Sequence, residues 1–264
     1  MQTIPSPELA VAIAAARAGG ATVLRYFREG VQMRVKESYN LVSDADVDAE
    51  EAVVTAIKEH FPSHAFFGEE THKDELSSED VWIIDPLDGT NNFAHGISQF
   101  SVSIAYAKDG EVKAGVVYNP VHDELYCAER GKGAFCNGKR AAVSKESSLN
   151  QALIGTGFYY DRGLMMERTL DSMRDLFHTD IHGIRRIGAA SLDLCHVGMG
   201  HFGAYFEYKL AAWDFAAGAL FVEEAGGRVT TARGDSLPLD TSSVLASNGA
   251  LHQSVLAIVG KHHP

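Results

Sequence analysis

The residues with the clearest chemical potential are two aspartates three positions apart, Asp85 and Asp88, in the segment Asp-Pro-Leu-Asp-Gly-Thr at 85–90. An apolar run ends at Asp85, and the proline and glycine that follow favour an abrupt change in chain direction. Both carboxylates can therefore point into one space. Thr90 can begin a short helix, where the free backbone N–H groups of Gly89 and Thr90 would suit a phosphate.

Two further acidic features accompany this turn. Glu69 follows a short apolar run, and Asp214 opens an amphipathic stretch that closes at two glycines, 226 and 227. Two like charges about 4 Å apart repel by about 4 kcal/mol at an effective dielectric of 20, so gathered carboxylates require cations. Hard oxygen ligands without a His or Cys cluster indicate Mg²⁺ or Mn²⁺ rather than Zn²⁺. Two such ions could activate a water and hold a leaving oxygen in phosphate-ester hydrolysis.

Each acid also has a purely structural interpretation. Asp-Pro and Asp-Gly are common turn dipeptides, and Asp214 could be a helix N-cap. Taken singly, each residue fits that interpretation better than a ligand role. Composition and spacing do not bring the four acids together, because that step requires a fold.

The surrounding elements predict such a fold. Periodicity predicts a helix that Ser6 caps and that reaches about Phe27, and a second from about 43 to 60. Apolar runs at 81–85, 100–107, 112–118 and 124–128 are joined by connections too short for crossovers, including an Asp109-Gly110 turn, which predicts antiparallel strands. Strands and helices then alternate at 152–155, 164–177, 182–185, 189–197, 202–206, 214–225, 244–246 and 250–260. The pattern predicts a layered α/β architecture. We expect one domain over 1–264, with an N-terminal half (1–147) and a C-terminal half (148–264).

Composition sets the class of protein. The chain has 264 residues, 45% apolar and 22% charged, with 23 basic against 35 acidic side chains and a net charge of −12. This acidic balance disfavours nucleic-acid binding and adhesion to anionic membranes. Three scattered cysteines predict free thiols in a reducing compartment. We recognise no signal peptide and no membrane span, and expect a cytoplasmic protein.

One glycine-rich segment resembles a dinucleotide motif. The segment 198–203 matches GxGxxG, but it follows a predicted helix and precedes a predicted strand. It is therefore interpreted as a helix end and a turn. The twelve histidines include no HExxH pair, and we expect no zinc site.

Two long segments resemble the signatures of the inositol monophosphatase family. They are Trp-Ile-Ile-Asp-Pro-Leu-Asp-Gly-Thr-Asn-Asn-Phe at 82–93 and Trp-Asp-Phe-Ala-Ala-Gly-Ala-Leu-Phe-Val-Glu-Glu-Ala-Gly-Gly at 213–227, and the segments 61–70, 131–138 and 182–190 agree. The resemblance implies an α/β fold with mixed sheets in a five-layer αβαβα sandwich. It also implies two to three Mg²⁺ ions per subunit, inhibition by Li⁺ and a homodimer.

The resemblance assigns catalytic roles residue by residue. Glu69, Asp85 and the Leu87 carbonyl would hold a first Mg²⁺; Asp85, Asp88 and Asp214 would hold a second; and Glu69 would support a third through waters. Thr90 and Asp46 would form the dyad that takes a proton from the attacking water. Asp46 also suits the first turn of a helix on electrostatic grounds alone.

It assigns the substrate side as well. Gly89 and Thr90 would hold the phosphate, and Gly188, Ala189, Ala190 and Glu207 would contact the alcohol, beside Asp88 and Asp214. Lys36 resembles the lysine of a mobile loop, in which Asn40 and Ser43 depart from the usual Asp and Thr. Arg185 and Arg186 could contact a second phosphate, a dimer interface or solvent.

The resulting hypothesis is a Mg²⁺-dependent enzyme that hydrolyses a small phosphomonoester, myo-inositol 1-phosphate being the first candidate. One alternative is a related phosphatase acting on fructose 1,6-bisphosphate, histidinol phosphate, a nucleotide or another sugar phosphate. A second is a binding partner in transcription or ribosome maturation, with phosphatase activity secondary.

Overall fold

The strands and helices come from a computed structural model that describes residues 4–31, 34–37 and 40–264; the side chains of 35–37 and 40–42 lie outside this description. The described residues form seven α-helices: α1 (Pro7–Glu29), α2 (Asp44–Lys58), α3 (Thr90–Ala94), α4 (Leu164–Phe177), α5 (Ala190–Gly198), α6 (Ala212–Glu224) and α7 (His252–Val259). They also form fourteen strands: β1 (Arg34–Glu37), β2 (Asn40–Val42), β3 (Ala65–Gly68), β4 (Asp80–Asp88), β5 (Ser101–Lys108), β6 (Glu111–Asn119), β7 (Glu124–Glu129), β8 (Gly133–Cys136), β9 (Lys139–Arg140), β10 (Leu153–Thr156), β11 (Gly183–Arg185), β12 (Ala204–Leu210), β13 (Arg228–Thr230) and β14 (Ser242–Ser247).

The N-terminal half builds a seven-stranded sheet in the order β3 to β9. Its strands are antiparallel except for the parallel pair β3–β4, and the predicted antiparallel arrangement of β4 to β7 is confirmed. Asp109 and Gly110 have φ of 51° and 76°, the left-handed backbone that a tight hairpin turn requires.

The C-terminal half contributes a five-stranded mixed sheet in the order β11-β10-β12-β14-β13. β10 runs parallel to β11 and β12, whereas β14 runs antiparallel to β12 and β13. The predicted alternation of strands and helices in this half is confirmed.

The helices lie in three layers around the two sheets. α1 and α2 pack on one face of the large sheet, α5 and α6 pack between the sheets, and α4 and α7 cover the far face of the small sheet. Along β4, Trp82 and Ile84 face the core that α1 and α2 form with the large sheet, whereas Val81 and Ile83 face the helices between the sheets. This strand is apolar on both faces because both are covered. The expected five-layer αβαβα sandwich is confirmed.

Helix α1 is long and apolar enough, by length and composition alone, to cross a membrane. Its apolar side, with Leu9, Ala15, Ala16 and Val23 buried, packs against α2 and the large sheet. The composition of α1 is therefore explained by its place in the core.

Some elements differ from the sequence expectations. Among the described residues, six strands of two to four residues were not predicted (β1, β2, β3, β8, β9 and β13), because such short segments carry no readable alternation. β12 begins at Ala204 rather than 202 and continues to Leu210. The N–H groups of residues 201 and 202 close the end of α5 on the His196 carbonyl, so the strand starts later. Glu207 consequently lies inside a strand.

The glycine-rich segment behaves as interpreted. α5 ends at Gly198, and Gly200 has φ of 73° in the turn before β12.

Cys127, Cys136 and Cys195 are free thiols, as expected. Lys36 lies in β1, but its side chain is outside the described part of the chain, so the mobile lysine loop stays a prediction.

Candidate active site

Asp85 and Asp88 both belong to β4, and a register irregularity lies between them. In a regular strand, residues three apart point to opposite faces of the sheet. Here Asp85 pairs with Ser103 and Asp88 with Ser101, so β4 has two residues between these positions where β5 has one. Such a bulge re-aims side chains, and both aspartates line the same cavity.

Backbone amides hold the aspartates in place. The Leu87 N–H donates to Asp85 Oδ1 at 2.9 Å. Asp88 Oδ2 accepts from the Ser191 N–H at 2.7 Å and from its hydroxyl at 2.5 Å. Since Ser191 lies on α5, these bonds connect the carboxyl end of β4 to the C-terminal half.

Asp214 comes from the first turn of α6. Its Oδ2 accepts the Ala211 N–H at 2.7 Å, which satisfies one of the free amides at the helix start. Asp214 is therefore not the N-cap considered from the sequence, which is Ala211, but the third residue of α6, and it has a structural role at the helix start. Asp214 also lines the cavity that holds Asp85 and Asp88, so the two roles coexist.

Glu69 follows β3, and three hydrogen bonds and one cation–π contact fix its loop. The Glu69 N–H donates to the Ile84 carbonyl at 3.1 Å. The Lys73 ammonium donates to the Gly68 and Glu69 carbonyls at 2.6 Å each and lies over the Trp213 ring, 4.9 Å from its centroid. Lys73 thus connects the Glu69 loop to the start of α6.

The four acids and Leu87 line a cavity of about 380 Å³, named here the carboxylate cavity. Burial raises the pKa of Asp85 well above its usual value, and repulsion from Glu69, Asp88 and Asp214 raises it further. Burial and the charges of Glu69 and Asp88 do the same to the pKa of Asp214. The carboxylates therefore belong to one electrostatic site.

This donor set fits a hard divalent cation by its chemistry. All the donors are oxygens, and a cation would relieve both their burial and their mutual repulsion. Within residues 4–31, 34–37 and 40–264, no three His, Cys, Asp or Glu side chains are already arranged in metal-binding geometry. Among these residues the carboxylates therefore line one cavity without forming a preformed ion-binding cluster.

Thr90 and Asp46 make hydrogen bonds to other groups. The Thr90 hydroxyl donates to the Leu87 carbonyl at 3.0 Å. Asp46, in α2, accepts from the Ser43 N–H at 2.8 Å and from the Ser43 hydroxyl at 2.7 Å. Burial raises the pKa of Asp46 to about 6. A Thr90–Asp46 dyad would require the threonine hydroxyl to turn, and it stays a prediction.

A smaller cavity of about 100 Å³, the second cavity, adjoins the first. The residues expected on the substrate side all line it: Asp88, Gly89, Thr90, Gly188, Ala189, Ala190, Glu207 and Asp214. Glu207 is buried and accepts a 2.6 Å hydrogen bond from the Tyr205 hydroxyl. Burial raises the pKa of Glu207 to about 7.

Several cavity residues had not been singled out. Tyr159 and Tyr160 line both cavities, Lys209 lines the carboxylate cavity, and Asp193 lines the second cavity. One signal was available: Asp193 is an acid within the apolar run of α5. For the arginine pair, Arg186 lines the second cavity, whereas the exposed Arg185 donates to the Ile184 carbonyl.

Comparisons with known proteins agree with this geometry. The family model described as the inositol monophosphatase family matches residues 5–263. The chain is 40% identical to the Nus factor SuhB of Pseudomonas aeruginosa, covering 98% of this chain and 97% of that protein. It is 39% identical to the inositol-1-monophosphatase of Rhizobium meliloti, covering 97% of each. Its fold matches the suhB protein of Bartonella henselae with a TM-score of 0.90 at 37% identity, over 97% of this chain and 99% of that one. The chain belongs to the inositol monophosphatase family.

Proposed function

We propose that this protein is a Mg²⁺-dependent phosphomonoesterase and that its substrate is myo-inositol 1-phosphate. The observation that carries the proposal is the set of four carboxylates around one cavity, three of them buried with pKa values raised by burial and two of these raised further by the other acids. The adjoining second cavity supports a polyol leaving group, because Glu207 can accept hydrogen bonds there.

The proposed roles are those that the resemblance to the family implies. Glu69, Asp85 and the Leu87 carbonyl would hold one Mg²⁺; Asp85, Asp88 and Asp214 would hold another; and Glu69 would support a third. When bound, such ions supply the Lewis acidity that makes water a nucleophile near neutral pH and stabilises a leaving oxygen.

The chain's own groups would orient the substrate and move the proton. The Gly89 and Thr90 N–H groups would orient the phosphate. Asp46, with a pKa of about 6, is mostly ionised at pH 7 and could take a proton through the Thr90 hydroxyl. The backbone of 188–190 and the Glu207 carboxylate would fix the alcohol.

The first test removes one charge from the carboxylate cavity. Asp85→Asn should lower phosphate release from myo-inositol 1-phosphate by at least about a hundredfold, because the proposed ligand charge is lost. Asp180→Asn, a matched change at an exposed position, should leave the rate unchanged. Near-normal turnover of Asp85→Asn would refute the metal assignment.

The substrate is tested separately with a panel of phosphomonoesters at fixed Mg²⁺, with and without Li⁺. We expect myo-inositol 1-phosphate to rank above fructose 1,6-bisphosphate, histidinol phosphate and a nucleotide monophosphate. Activity should require Mg²⁺ and fall with Li⁺. A ranking with inositol 1-phosphate far below the others would overturn the substrate but not the phosphatase.

A second candidate function is a role in transcription, which is favoured by three relatives at 40–41% identity, one named a Nus factor and two named putative Nus factors. The test is elongation by purified RNA polymerase with and without this protein. An effect that persists in Asp85→Asn would support a role independent of catalysis. If elongation is unaffected, only the phosphatase function remains.

We also propose that the protein is a homodimer in the cytoplasm, and light scattering of the purified protein tests the dimer.

A further inference from the structure

The second cavity contains an acid that the proposed mechanism does not use. Asp193 lies on α5, is 1% exposed and lines this cavity together with Gly188, Ala189 and Glu207. In the part of the chain that the structure describes, its buried Oδ1 has no hydrogen-bond partner. A buried acceptor without a donor destabilises a fold, so such an atom requires an explanation.

The surroundings of Asp193 stabilise its ionised form only weakly. The Gly188 N–H and the positive charge of Arg186 favour its ionised form, while burial and the charges of Asp88 and Glu207 oppose it and raise its pKa. In either protonation state the carboxyl keeps an oxygen that can accept a hydrogen bond.

The neighbouring acid, Glu207, makes no hydrogen bond to Asp193 Oδ1 in this structure. The Tyr205 hydroxyl donates a hydrogen bond to Glu207 Oε2. A Cβ placed on Gly157 would lie only 1.8 Å from the same oxygen, so the Glu207 carboxyl is packed directly against the chain at residue 157. In the described part of the chain no group donates to Asp193 Oδ1, and because this oxygen is buried, a molecule in the cavity can donate to it only once the Asp193 carboxyl turns towards the cavity.

We propose that Asp193 is a specificity-determining residue whose Oδ1 accepts a hydrogen bond from a hydroxyl group of the leaving alcohol. This inference rests on the proposed phosphatase function. Glu207 and Asp193 together require an alcohol with hydroxyl groups at two positions. A ring of the same size without hydroxyls leaves Asp193 Oδ1 without a donor and gives Glu207 none beyond the Tyr205 hydroxyl, and a site built around such acceptors rejects it.

The test compares two esters of the same six-membered carbon ring: myo-inositol 1-phosphate, which carries ring hydroxyls, and cyclohexyl phosphate, which carries none. Asp193→Leu removes the acceptor at similar size and should lower kcat/KM for the inositol ester about tenfold, mainly through KM. It should change kcat/KM for the cyclohexyl ester less than about twofold. Asp193→Asn keeps an acceptor oxygen and should retain most of the activity on the inositol ester. Asp235→Leu and Asp235→Asn, at an exposed position outside both cavities, are the matched controls.

Each other outcome is decisive. Equal losses on both esters in Asp193→Leu would assign the residue to packing, and thermal unfolding of the same variant would show the lost stability. No change on either ester would mean that an internal water satisfies Oδ1, and the inference would be wrong. If the unmodified protein hydrolyses neither ester nor any member of the phosphomonoester panel, the proposed function itself fails.

Discussion

At the scale of single residues, the close contact between the Glu207 carboxyl and the backbone at Gly157 determines which residue can stand at position 157. Gly157 has no left-handed backbone that would demand glycine, yet a larger residue fits only if the Glu207 carboxyl moves, because that carboxyl occupies the place of its side chain. The sequence shows an ordinary Gly-Thr-Gly-Phe segment there. Its role depends on a residue fifty positions away, and local patterns hold no information about such a contact.

This close approach predicts the effect of adding one methyl group. Gly157→Ala should displace the Glu207 carboxyl and raise KM for myo-inositol 1-phosphate, and should lower the free energy of unfolding by about 1–3 kcal/mol. Steady-state kinetics and urea unfolding measure both. Gly260→Ala, whose Cβ would meet its nearest atom at 3.3 Å, is the control and should leave KM unchanged. An unaltered KM in Gly157→Ala would show that Glu207 does not contact the alcohol.

At the scale of elements, α2 positions the loop that carries Glu69 through one buried acid. Glu50 accepts the N–H groups of Glu70, Thr71 and His72 at 2.8–2.9 Å, together with the Thr71 hydroxyl. Burial alone would raise the pKa of Glu50, but these donors outweigh it and lower the pKa to about 2. Because the folded-state pKa is below the usual 4.5, the stabilisation is present above pH 4.5 and is lost as the pH falls towards 2.

We therefore expect Glu50→Gln to lower the free energy of unfolding by about 2 kcal/mol at pH 7, because an amide group would face backbone donors. The difference from the unmodified protein should shrink between pH 4.5 and 2, the window that the pKa of Glu50 defines. Denaturant titrations across this range measure it. Glu51→Gln, at the next and exposed position of the same helix, should show neither effect. A constant difference across the range would contradict the assignment.

How much of the site the sequence could predict depends on how far apart along the chain the contacting residues lie. Asp85 and Asp88 were recognisable as a candidate pair because a strand end, a proline and a glycine lie within a few residues of them, and Asp214 because it lies in the first turn of a helix. Their ligand roles came from the resemblance to the family. A layered α/β architecture was predictable from periodicity, whereas the five-layer order came from the resemblance to the family. Glu50, Gly157 and Asp193 were not, since their partners lie 20 to 50 residues away or in a cavity that two halves of the chain build together.

At the scale of the whole molecule, the candidate site is built where the two halves meet. Asp85 and Asp88 come from the N-terminal half, and Asp214, Glu207 and Asp193 come from the C-terminal half. The core between the sheets also includes buried residues from both, such as those of β4 and α6. A site shared in this way favours one cooperative unit over two independent ones.

The two tryptophans provide a test of this single-domain prediction, because Trp82 lies in β4 of the N-terminal half and Trp213 in α6 of the C-terminal half. In Trp213→Phe the fluorescence reports only on Trp82, and in Trp82→Phe only on Trp213. For each variant we expect the fluorescence midpoint in urea to coincide with its far-ultraviolet circular dichroism midpoint, since one cooperative transition moves every probe together. Trp82→Phe should unfold at lower urea, because the fully buried indole leaves a cavity when it is shortened. A fluorescence midpoint that separates from the circular dichroism midpoint in either variant would mean that the halves unfold independently, and that the carboxylate cavity can be lost while half of the molecule remains folded.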